Sequence, residues 1–155
     1  MGMAQSLACK ITGELIMNQT AIFWPLLAQV LLVYLIYVLL GIRRRSALVS
    51  GRAKPDQFRE NRNEPPDSIF VSNNLLNQFQ LPVLFYVVVL CIYVTHGNTI
   101  LTLALAWIFV VLRYLHAFVH VTSNDLRLRS PLFGLGYVVL GILWIIFALH
   151  ILNLM

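Results

Sequence analysis

A helix crosses the hydrocarbon of a bilayer in about 20 mostly apolar residues, and four stretches of this chain approach or meet that length. They fall at 22–40, 79–95, 100–118 and 132–152, carry no acidic residue, and are dominated by Leu, Val and Ile. In lipid every backbone polar group must be paired within its own segment, so these stretches are expected as helices; the alternation of a barrel strand is absent. The expected fold is therefore all-α and integral to the membrane, a bundle of four transmembrane helices. Composition agrees: 59% of the 155 residues are hydrophobic and 11% charged, against roughly 45–50% and about 25% in soluble domains.

Local punctuation places the turns. Pro25 sits near the start of the first span, and Ser130-Pro131 reads as a cap and first-turn proline opening the fourth. Gly97 closes the second span and Asn98-Thr99 opens the third, a connection short enough to force an antiparallel hairpin. Asp67-Ser68 can cap a helix that begins before the lipid. Pro82 should bend that helix and free the carbonyl of Gln78.

Ten of the eleven basic residues lie in or beside two connections: Arg43, Arg44, Arg45, Arg52, Lys54, Arg59 and Arg62 in a loop at 43–67, and Arg113, Arg127 and Arg129 around the turn after the third span. Lys and Arg favour the cytoplasmic side, so both connections are expected there and both termini opposite. The net charge of +5 is thus read as topology, and no nucleic-acid partner is expected. Cys9 and Cys91 are too few for a disulfide framework. Residues 1–20 read as a tail, with Met17 as an alternative working start, ahead of a membrane domain at 21–155.

Polar residues mark two helix faces at the basic end. On the second helix, which begins before its span, Asn73, Asn77 and Gln80 are spaced i, i+4, i+7. In the third, Arg113, His116, His120 and Asn124 fall within about 80° of one another at 3.6 residues per turn. Such groups are costly in lipid unless paired or wetted, so the two stripes should face each other or a neighbouring subunit. Helix-to-helix hydrogen bonding accounts for them as readily as a binding site does. His116 and His120 have a spacing two metal ligands can use, but no cysteine or carboxylate completes a set, and no metal is expected.

The segments NNLLNQFQLPVLFY and RYLHAFVHVTSNDLRLRSPLFGLG, with four spans and a long basic first loop, resemble the MAPEG family (membrane-associated proteins in eicosanoid and glutathione metabolism), nearest its bacterial branch. The resemblance implies a homotrimer in a bacterial inner membrane, with glutathione as cosubstrate bound between subunits in catalytic members. Those members carry Arg-x-x-x-Asn-x-x-Glu on the second helix. Here the positions read Asn73, Asn77 and Gln80, so two charged contacts become neutral amides. Arg113 and Tyr114 match an arginine-tyrosine pair of the family's site, and Arg127 or Arg129 matches the arginine that stabilises the thiolate. These changes favour a noncatalytic member that binds lipid, a lipophilic small molecule or a partner. The alternative is a glutathione-dependent transferase or peroxidase acting on lipophilic electrophiles.

Overall fold

The computed structural model describes residues 18–60 and 63–153, with only the backbone of Glu60. Cys9, Arg62, the Met17 start and most of the expected tail at 1–20 lie outside the described residues. A 3₁₀ turn, Gln19–Ile22, leads into α1, Phe23–Val49. A short helix α2, Pro55–Glu60, sits in the first connection. The second span is two helices, α3 at Pro66–Gln78 and α4 at Leu81–Val94. The third and fourth spans are α5, Ile100–Val121, and α6, Leu126–Ile151. Among the described residues four helical segments are long and apolar enough to cross a membrane, and the protein is an integral, multi-pass membrane protein.

Each span outlasts its apolar run. The first helix continues through Arg43–Arg45 to Val49, because Arg is a good helix former and its long stem reaches the interface from within a helix. The second span starts at Pro66, with proline in the first turn where its missing N–H costs nothing. Pro82 does more than bend it. Helix geometry is lost at Phe79 and Gln80, the latter at φ −103° and ψ −99°, and resumes with Pro82 in the first turn of α4.

The hairpin between second and third spans forms as expected. Thr99 caps α5 in a reciprocal capping box with Thr102. Ser130-Pro131 does not open the fourth span. Asp125 does: its Oδ1 accepts from the Arg127 amide at 2.9 Å, and Pro131 lies inside α6. A carboxylate cap next to helix N–H groups is the stronger signal there.

The core joins all four spans, with Phe85 stacked on Phe109 at 4.6 Å between ring centroids and Leu140 and Leu143 of α6 closing it. A second cluster, Leu32, Ile36, Leu40, Val71 and Ala117, seats α3 between α1 and α5 at the basic end. That seat is reinforced from the first connection. The Arg44 guanidinium makes two bonds to the Glu64 carboxylate, at 2.8 and 3.1 Å, and covers the Phe58 ring. Ser68 donates to the same carboxylate, and Arg52 pairs with Asp67 at 3.1 Å. At the opposite end Gln19 and Asn98 exchange hydrogen bonds, holding the 3₁₀ turn against the hairpin.

Candidate functional site

The inward face of α5 carries the site. Arg113, His116 and His120 are all buried, with Arg113 only 1% exposed. Arg113 Nη2 donates to the Asn77 carbonyl at 3.1 Å. In an unbroken helix that oxygen would accept from the amide four residues on, so the break at Phe79 and Gln80 is what makes it available. The guanidinium also lies 5.8 Å from the centre of the Phe133 ring of α6. Its Nε and Nη1 have no partner.

His116 packs 5.6 Å from Phe133 and 5.6 Å from His120, ring centre to ring centre. Its Nδ1 is 3.2 Å from the Arg129 carbonyl, and its Nε2 is buried without a partner. His120 Nδ1 lies 3.2 Å from Asn74 Nδ2 and 3.4 Å from Asn77 Nδ2. Beside them is a cavity of about 250 Å³ lined by Asn77, His116, Arg129, Ser130 and Phe133; Arg113 and His120 touch its lining rather than forming it. Two arginines and two histidines converge here, and no acidic side chain among the described residues pairs with them.

The third-span stripe thus gathers largely as its spacing predicts. Asn124, past the helix end at φ 51°, accepts from Arg129 Nη1 and steadies it. The sequence left Arg127 and Arg129 as equals; α6 separates them. Two residues apart on a helix they point about 200° apart, so Arg129 lines the cavity and Arg127 stays exposed. Tyr114 turns away from Arg113, donating to the Ala28 carbonyl of α1 at 2.8 Å.

The second-span stripe divides. Asn77 reaches the third-span residues, whereas Asn73 and Gln80 are exposed on the outer surface of the chain. Gln80 lies beyond the helix break, so helical spacing does not carry from Asn77 to it. Asn74 and Gln78 face inward instead, fully buried, and Gln29 of α1 joins them. Gln29 was detectable in the sequence as a lone amide within an otherwise apolar span. A second, apolar cavity of about 510 Å³ lies between α1 and the second span, lined by residues that include Val30, Tyr34, Tyr37, Gln78, Phe79 and Tyr86. Among the described residues no three His, Cys, Asp or Glu come together as a metal site.

The MAPEG family model matches residues 21–149. The chain belongs to the MAPEG family. No curated protein and no solved structure matches it. Membership accounts for the four spans, and as a MAPEG protein the chain comes from a family associated with glutathione.

Proposed function

We propose that this MAPEG protein is noncatalytic and works as a homotrimer that holds the anionic head of a lipophilic molecule at its basic, cytoplasm-facing end. The observation that carries this reading is Arg113: a buried guanidinium with two nitrogens that lack a hydrogen-bond partner and no counter-ion among the described residues. A buried charge left uncompensated is costly, and an anion relieves it. Arg113 touches Asn77 and Phe133 of the cavity lining, and Arg129, itself in that lining, adds a second positive charge. The ligand's apolar body would remain in the bilayer.

Glutathione fits these residues less well. Its ammonium group needs an acidic partner, and the cavity lining of Asn77, His116, Arg129, Ser130 and Phe133 offers none. Asn73 and Gln80 stand at the family's charged positions as neutral, outward-facing amides. Polar groups facing lipid favour burial against a neighbour, which supports the trimer. One feature favours the enzymatic alternative, a glutathione-dependent transferase: Arg129 lines the same cavity as His116, whose Nε2 is unpartnered, so a thiolate there would find a positive charge.

Thermal unfolding in detergent tests the two readings. A long-chain fatty acid at a hundred times its dissociation constant should add about 2.7 kcal/mol and raise Tm. Millimolar glutathione should leave Tm unchanged and no reactive aryl halide should be conjugated. A Tm shift with glutathione, together with conjugation, would replace the binding reading with the enzymatic one.

A further inference from the structure

The two histidines, packed edge to face, are held in opposite hydrogen-bonding states. A carbonyl oxygen only accepts, so His116 Nδ1, facing the Arg129 carbonyl at 3.2 Å, carries the proton. Its unpartnered Nε2 therefore presents a lone pair. His120 is arranged the other way. Its Nδ1 meets the amide nitrogens of Asn74 and Asn77, and amide nitrogens only donate. The proton of neutral His120 must then sit on Nε2.

Asn74 is itself oriented from a distance. Its Oδ1 accepts from Gln78 Nε2 at 3.1 Å, and Gln78 Oε1 accepts from Gln29 Nε2 at 3.0 Å. Turning any one amide would set donor against donor or acceptor against acceptor, so the row keeps its direction or reverses as a whole. Asn77, a second donor on His120 Nδ1 from outside the row, selects the direction. The one unsatisfied atom of the row is Gln29 Oε1, at its far end on the first span.

We infer that Asn74, Gln78 and Gln29 form a directional amide relay, its direction selected by Asn77 and its far end on the first span, that positions His120 as an Nε2–H donor next to the His116 ring, whose Nε2 is an acceptor. They are positioning residues, and the relay stands whether the pocket holds a lipid head or glutathione. The histidine pair offers opposite hydrogen-bond polarity on rings 5.6 Å apart. That suits a ligand group which both donates and accepts, such as a hydroxyl or a thiol, next to the anion held by arginine.

Nitrogen-15 labelling of the four histidines in the full chain, without ligand, reads this directly from the imidazole nitrogen shifts. Wild-type His120 should show a protonated Nε2 and a bare Nδ1, and His116 the reverse. Asn74→Asp, which replaces a donor with an acceptor, should move the His120 proton to Nδ1. Asn77→Leu, which removes the amide that selects the direction, should add a second, swapped His120 population. Tyr114→Phe, which removes a different bond, one between α1 and α5, should leave both rings unchanged. A wild-type His120 protonated on Nδ1 would overturn the relay, and this readout needs no variant to fold. So would an Asn77→Leu spectrum identical to wild type, or a swapped population in Tyr114→Phe.

Discussion

Arg113→Met is expected to make the ligand-free protein more stable and to abolish binding of anionic amphiphiles. The guanidinium is buried, yet only one of its nitrogens has a hydrogen-bond partner, the Asn77 carbonyl at 3.1 Å. Removing its charge from a low-dielectric setting releases the desolvation cost, while Met refills the space against Phe133. The Asn77 carbonyl then loses its donor, which takes back about 1 kcal/mol. The net gain should be on the order of 1–3 kcal/mol, by analogy with buried charges replaced by apolar side chains. Reversible unfolding in mixed micelles measures the first effect and titration with a fatty acid the second. A residue that destabilises the empty fold and is kept for its ligand behaves this way. Loss of stability in Arg113→Met would mean that Arg113 is a structural strut.

The opposite sign is expected at Arg44. Its partner Glu64 has a fully covered side chain, whereas Arg44 is 30% exposed. Arg44→Met therefore strands a buried carboxylate, at a cost of about 2–4 kcal/mol at neutral pH, toward the low end because the pair is partly screened. Glu64→Gln should cost less, since the freed guanidinium can reach water. The pair also sets an acid limit. Burial alone would raise the Glu64 carboxyl, but hydrogen bonds from Arg44 and Ser68 and the Arg44 charge together hold it below its ordinary value. A folded-state value lower than the unfolded one gives stability that is complete above the ordinary glutamate range and is lost as pH falls through the depressed value. Wild-type stability should therefore drop on acidification below that range. Arg44→Met should instead lose its deficit there, as the stranded carboxylate protonates. Parallel acid profiles for the two proteins would show that the clasp contributes nothing.

The legible part of this protein was its apolar pattern. Four runs without acids dictate four helices, and Asn98-Thr99 marks where the third begins. Less could be read at the polar ends, because helix phase there is set by packing. Asn73 and Asn74 are adjacent amides, and which one turns inward depends on Val71 and Ser68 finding the buried face of α3. Gln80 fits the stripe by helical spacing, but helix geometry stops at Phe79 and Gln80, so the spacing does not place it. Arg129 could be separated from Arg127 only once Asp125, rather than Ser130, was seen to start α6. Tyr114 matched a family pair by sequence, but its hydroxyl belongs to the Ala28 carbonyl.

The most direct measurement compares a long-chain fatty acid with its methyl ester in equilibrium binding to the purified protein and to Arg129→Gln. The two ligands share a tail and differ in charge. The acid should bind wild type, lose affinity by about tenfold or more in Arg129→Gln as a charged contact is removed, and the ester should not bind. Equal binding of acid and ester, unaffected by the substitution, would contradict an anion-holding pocket built on Arg113 and Arg129.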